Sequence, residues 1–272
     1  MGAGIAEVSA RAGADVVVVE QDADAAARGR ERIERSLERA AARGKLTEEE
    51  AAGATRRLQV VADVEALADR QIVIEAIVEA EAPKTDLFRR LDATVTDPAA
   101  VLASNTSSIP IMKLAMCTGR PEQVIGLHFF NPVPVLRLVE LIPTLTTSEE
   151  TIAVAERFAG DMLDKRIIRA ADRAGFIVNA LLIPYLLSAI RMLESGFATA
   201  EDIDDGMKEG AAHPMGPLAL TDLIGLDTTM AVAVSLYEEF KEQLYAPPPL
   251  LSRMVEAGLL GRKTGRGFYT YA

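Results

Sequence analysis

The stretch ADVVVVE, Ala14–Glu20, is a nearly continuous valine run closed by a carboxylate. Consecutive β-branched residues without polar alternation mark a strand covered on both faces, as in parallel sheets flanked by helices. The segments on either side have a helical period. Gly2 opens a helix of small residues that leads into the run, and Asp22–Arg43 is long and rich in alanine and arginine. Further strands are expected at Leu58–Val61, Ile72–Val78, Ala100–Ser104 and Val124–His128, with a helix over Lys84–Leu91. This βαβα order predicts an α/β fold, a Rossmann-type doubly wound and mostly parallel sheet. From Gly175 onward helical periods take over, punctuated by Gly206, Gly210, Pro214, Gly216, Pro217 and Gly225. Two domains follow: an α/β domain over 1–172 and an all-α domain over 173–272.

Glu20 ends the valine strand 18 residues after Gly2. In a nucleotide-binding βαβ unit an acidic residue at this place bonds the adenine-ribose hydroxyls and disfavours a 2′-phosphate, which favours NAD over NADP. A polar strand terminus would look the same. The fingerprint G-x-G-x-x-G should follow a first strand, and this numbering begins just before what reads as its third glycine. The first strand of the sheet is therefore expected to be missing, with strand edges left exposed. Gly2 and Gly4 alone are weak evidence for a phosphate loop.

Composition narrows the classes. Of 272 residues, 49% are hydrophobic and 25% charged, as in a folded globular protein. A formal charge of −11 argues against nucleic acid as a partner. The single cysteine, Cys117, excludes an intrachain disulfide framework and fits a reducing, cytoplasmic setting. The most apolar stretch, Phe176–Leu187, is too short to span a bilayer and contains Asn179 and Pro184. No metal-ligand spacing is visible.

The segment GLHFFNPVPVLRLVE, Gly126–Glu140, carries the chemistry. A short apolar strand ends at His128, one of only two histidines. Asn131-Pro132 and Pro134 then forbid a continuing helix and favour a reversal. Val135–Ile142 reads as a returning strand in which Glu140 shares a face with Leu136, Leu138 and Ile142. A carboxylate on an apolar face needs a partner, and the reversal brings His128 back to it. A carboxylate-oriented imidazole is a general acid/base, although a histidine at a strand end is more often structural.

Six blocks, in order, carry a resemblance. They are MGAGIAEVSARAG (Met1–Gly13), ASNTSSI (Ala103–Ile109), GLHFFNPVPVLRLVEL (Gly126–Leu141), GFIVNALLIPYL (Gly175–Leu186), HPMGPLALTDLIGLD (His213–Asp227) and GRKTGRGFYTY (Gly261–Tyr271). Together they resemble the 3-hydroxyacyl-CoA dehydrogenase family, within it the bacterial 3-hydroxybutyryl-CoA dehydrogenases. The resemblance implies NAD-linked interconversion of an L-3-hydroxyacyl-CoA and its 3-oxo form, with His128 as acid/base and Glu140 orienting it. It assigns Ser107 and Asn179 to the substrate's 3-oxygen. It gives Gly2, Glu20, Glu79, Lys84, Ser107, Asn131 and Lys263 to the cofactor. Ser36, Arg43, Lys84, Ser107 and Asn179 face the acyl-CoA, with Lys45 adding to a basic edge. A homodimer built through the all-α domain is also implied. Relatives often have proline where Ala174 stands. Two other readings stay open at this level: a dehydrogenase of a free hydroxy acid, and a dimeric scaffold without a cofactor.

Overall fold

The computed structural model describes residues 1–271 and divides into two compact units, Met1–Asp172 and Arg173 onward. In the first, helix α1 (Gly2–Arg11) leads to β1 (Val16–Val19), and α2 (Ala23–Ala42) and α3 (Glu48–Arg56) lead to β2 (Leu58–Val61). Strand β1 pairs in parallel with β2, Val16 opposite Leu58. The two strands are held against their helices by Ala6, Ala10, Ile33, Leu37, Ala51, Ala54 and Leu58. Burying an aliphatic side chain such as Ile33 or Leu37 contributes about 1.5–3 kcal/mol. Helix α3 was not expected from the sequence. Its signal is a capping box: Thr47 Oγ1 accepts from Glu50 N–H, and Glu50 Oε2 accepts from Thr47 N–H.

A second sheet has the order β3 (Ile72–Glu75), β4 (Val101–Ser104), β5 (Val124–Phe129), β6 (Leu138–Pro143) and β7 (Arg166–Arg169). Strands β3, β4 and β5 are parallel, β6 runs antiparallel to β5, and β7 is parallel to β6. Helices α4 (Glu81–Thr94), α5 (Ile111–Ala115) and α6 (Glu149–Glu156) connect them. The core lies between sheet and helices, with Val101, Ile125, Leu127, Val139, Leu141 and Ala155 buried. The mostly parallel, helix-flanked architecture is thus the expected one, but in two sheets: no ladder among the described residues joins β1 to β3.

Two boundaries differ from expectation for local reasons. Strand β3 stops at Glu75 rather than Val78 because the Glu75 carboxylate takes the Ile77 N–H (2.7 Å). The returning strand starts at Leu138 rather than Val135 because Val135 and Leu136 N–H turn back onto the Pro132 carbonyl (both 3.0 Å). Strand β7, RIIR, was not read at all.

The second unit holds α7 (Val178–Glu194), α8 (Ala200–Asp205), α9 (Pro217–Ile224), α10 (Leu226–Phe240) and α11 (Pro249–Glu256) around Ile183, Leu187, Ile190, Leu218, Leu236 and Leu251. Two buried carboxylates staple it. Asp204 accepts from Leu218 and Ala219 N–H at the start of α9. Asp222 accepts from Phe268 and Tyr269 N–H and from the Tyr271 hydroxyl, tying down the tail. Among the described residues no single helix is long and apolar enough to cross a membrane.

Candidate active site

His128 is brought to Glu140 by strand pairing. The two are register partners across the antiparallel β5–β6 pair, so their side chains leave the same face. His128 Nδ1 lies 2.7 Å from Glu140 Oε2. Glu140 is fully buried and His128 nearly so. A carboxylate only accepts, so the bond assigns the proton to Nδ1, which makes Nε2 the basic nitrogen of the neutral ring. The ring also packs 4.6 Å from Phe130, tilted by 55°. Gly126 makes this strand possible: a Cβ there would lie 2.8 Å from Ile142 Cβ and 3.0 Å from Ile111, so only glycine lets β6 and α5 close on β5.

Next to β5, the ends of β3 and β4 carry a second polar cluster. The Ser104–Ser108 turn leaves β4 and is held by one carboxylate oxygen. Glu79 Oε1 accepts from Thr106 Oγ1 (2.5 Å), Ser107 N–H (2.8 Å), Ser107 Oγ (3.2 Å), Ser108 N–H (3.2 Å) and Ser108 Oγ (3.1 Å). Burial opposes ionisation of Glu79, but the Thr106 hydroxyl, the Lys84 ammonium and Ser107 N–H outweigh it and hold its pKa below the ordinary value. Thr106 Oγ1 in turn accepts Ile109 N–H (2.9 Å), so its hydroxyl caps the turn before Pro110. Asn105 Oδ1 accepts Phe129 N–H (2.9 Å) and locks this turn to the residue after His128.

Lys84 lies beneath. Its side chain is 1% exposed, with Nζ 2.5 Å from Glu75 Oε1 and 3.2 Å from Glu79 Oε2. Glu75 also accepts from Ser104 Oγ (2.6 Å). The ammonium assigned to cofactor and acyl-CoA is thus engaged by two carboxylates inside the protein. Glu75, Asn105 and Thr106 were not singled out from the sequence. Glu75 carries a readable signal: in strand alternation it shares the buried face of IVIE with Val73, as Glu140 shares a face with its apolar neighbours.

The remaining assigned residues stand on other elements of each unit. Glu20 follows β1, its N–H bonded to Val61 O and its carboxylate 3.2 Å from where a Gly29 Cβ would stand. Gly2 and Gly4 form the first turn of α1, whose N-terminus has no side-chain cap and no acidic residue. A Cβ on Gly4 would meet Val133 at 3.0 Å. Asn131 is exposed at the start of the β5–β6 loop. Ser36 is half-buried on α2, with Arg43 and Lys45 exposed beyond its end. In the second unit, Asn179 is half-buried in the first turn of α7, and Lys263 Nζ is 2.5 Å from both Asp227 carboxylate oxygens. No group of three His, Cys, Asp or Glu among the described residues is placed to hold a metal ion.

Comparison with known proteins agrees along the whole length. The model of the 3-hydroxyacyl-CoA dehydrogenase NAD binding domain matches residues 1–173, and that of the family's C-terminal domain matches 175–271. A 3-hydroxybutyryl-CoA dehydrogenase of Mycobacterium tuberculosis is 60% identical over 271 residues, covering 100% of this chain and 95% of the relative. The crystal structure of M. tuberculosis FadB2 is 61% identical, covers 100% of this chain and 95% of its own, and superposes with a TM-score of 0.99. That of (S)-3-hydroxybutyryl-CoA dehydrogenase PaaH1 from Ralstonia eutropha is 45% identical, with the same coverages and a TM-score of 0.94. These full-length matches place the chain in the 3-hydroxyacyl-CoA dehydrogenase family.

Proposed function

We infer that this chain is an NAD-dependent oxidoreductase that interconverts an L-3-hydroxyacyl-CoA, short-chain and typified by 3-hydroxybutyryl-CoA, with its 3-oxoacyl-CoA. The observation that carries the reading is the buried 2.7 Å contact of His128 Nδ1 with Glu140, in a chain whose 60% identical relative is a 3-hydroxybutyryl-CoA dehydrogenase.

The residues present suit a dinucleotide. An uncapped N-terminus built of Gly-Ala-Gly offers backbone N–H groups and the positive end of the α1 dipole to phosphate. Glu20, at the end of β1, is placed to accept ribose hydroxyls, which supports NAD over its 2′-phosphorylated form. Glu79, Ser107 and Asn131 cluster at the C-terminal ends of the strands, where α/β sheets bind ligands. Held by the α1 N-terminus and Glu20, NAD would supply the two-electron hydride chemistry at C3 of the substrate, in either direction.

His128 Nε2 takes the proton of the 3-hydroxyl as the alcohol is oxidised, and gives it back on reduction. Glu140, accepting at Nδ1, fixes the tautomer and stabilises the imidazolium that forms, a charge-assisted bond of about 1.5–3 kcal/mol. Ser107 steadies the 3-oxygen while negative charge develops on it. The role given to Asn179 rests on its match to GFIVN, and that of Ser36, Arg43 and Lys45 toward coenzyme A on their place along and beyond α2. Cytoplasmic residence and a homodimer complete the reading, supported by the single cysteine and by exposed apolar side chains of the second unit.

The test is NADH oxidation with acetoacetyl-CoA. The chain should turn over and His128→Ala should lose at least ~10² in kcat while keeping its NADH affinity. Turnover retained in His128→Ala would remove His128 as the acid/base. Activity on free acetoacetate equal to that on its coenzyme A ester would instead favour a free hydroxy acid as substrate.

A further inference from the structure

Glu75 is buried, charged and used by no step above. It ends β3, opposite Ser104 in the parallel β3–β4 register, and its two oxygens are divided. One takes the Lys84 ammonium at 2.5 Å and the Ile77 N–H at 2.7 Å; the other takes the Ser104 hydroxyl at 2.6 Å. Ser104 Oγ accepts Thr106 N–H at 3.2 Å. Lys84 is shared with Glu79 at 3.2 Å, the longer of its two ion pairs. Glu79 spends its other oxygen on the Thr106 hydroxyl and on the N–H and hydroxyl groups of Ser107 and Ser108. Two lines of bonds therefore run from Glu75 to the turn, one through Ser104 and one through Lys84 and Glu79.

We propose that Glu75 is a positioning residue for the reaction, holding Lys84 back from Glu79 and anchoring Ser104 so that the Ser104–Ser108 turn presents Ser107. The physical reason is competition for one ammonium. Lys84 lies between two carboxylates, and the closer one is Glu75. Without that charge the ammonium closes on Glu79 as its only anionic partner. Lys84 is buried while Glu79 is 30% exposed, and a buried ammonium left with one carboxylate forms a charge-assisted bond strong enough to draw Glu79 from the donors of the turn. Glu75 has no need to touch substrate or cofactor: a turn displaced by about 1 Å is enough to cost a large factor in rate.

This inference rests on the proposed dehydrogenase activity, which wild-type turnover of acetoacetyl-CoA with NADH tests separately. The experiment is a double-mutant cycle on kcat with Glu75→Gln and Ser107→Ala, each checked for folding by its melting midpoint. Glu75→Gln should lower kcat about 10-fold or more alone, and less than about 2-fold in the Ser107→Ala background, because both act through the same hydroxyl. Effects that multiply across the cycle would show a general structural role and overturn the proposal, as would an unchanged kcat in Glu75→Gln. Ser104→Ala provides a second cycle that keeps every charge, should Glu75→Gln not fold. Its smaller loss should likewise vanish beside Ser107→Ala, and a multiplicative loss there overturns the proposal equally.

Discussion

Glu79 accepts five hydrogen bonds through one oxygen and faces Lys84 with the other, and that arrangement makes it a titratable stabiliser. Its pKa in the folded chain lies below the ordinary value of 4.5, because the donors and the ammonium outweigh burial. A group with a depressed folded pKa contributes stability in full above its unfolded value and loses it as pH falls through the folded one. Wild type should therefore melt above Glu79→Gln near neutral pH, by about 1–2 kcal/mol of stability. The gap should close as pH falls below 4.5. A gap that stays constant through acid would mean that the Glu79 charge does not hold the turn. His128 and Glu140 differ in kind: their pairing was legible from the chain because a carboxylate in an apolar alternation has to find a partner across the reversal. Glu75 carries the same signal, but its partners, Lys84 and Ser104, lie in separate elements, and nothing local says they meet.

The β5–β6 loop shows what elements add. Its start bears Asn131, and Val133 packs under it against Gly4 of α1. Lys165, in the turn before β7, donates to the carbonyls of Val133 (2.6 Å) and Leu136 (2.8 Å). One ammonium from a remote element thus closes a loop that two prolines, Pro132 and Pro134, already keep from forming a helix. Lys165→Met should lower stability by about 1–3 kcal/mol, the worth of charged hydrogen bonds to carbonyls that would otherwise face water or each other. If the ordered loop serves Asn131, NADH binding should also weaken about 3- to 10-fold, the cost of reordering the segment on binding. A calorimetric titration that finds wild-type affinity would free Asn131 from dependence on this clamp. The loop's reversal was readable from Asn131-Pro132 and Pro134. Its clamp was not, because β7 has only Ile167 and Ile168 between arginines and too short a pattern to announce a strand. The valine run Val16–Val19 was legible as an unbroken β-branched stretch, and α2 because its helical period is sustained over 20 residues. The split into two sheets follows from pairing, which periodicity does not encode.

At the scale of the molecule, the charge of −11 belongs to the surface as a whole and leaves room for local cations such as Arg43 and Lys45 near α2. Apolar side chains reach the surface of both units, Leu145 of the first being 96% exposed. In the second unit Phe197 is 79% exposed and Leu181 72%, and Leu223, Val234 and Met192 are also open to solvent. That unit has its own core of Ile183, Leu187, Ile190, Leu218, Leu236 and Leu251, so these outward residues are surplus to its folding. Exposed apolar side chains that adjoin in one patch are the kind of surface a protein partner covers. The charge-poor faces of α7 and α10 suit a second copy of the same chain, which closes by two-fold symmetry with the same patch on both sides. Sedimentation should then find a dimer at micromolar concentration, and Leu181→Asp with Phe197→Asp should give a folded monomer, since placing carboxylates in an apolar interface costs several kcal/mol. A wild-type monomer would refute the dimer, and a charged double variant that still sediments as one would move the interface away from α7. The helices that set this surface were plain in the sequence; which of their apolar residues point outward was not, because a core stripe and an interface stripe share the same period.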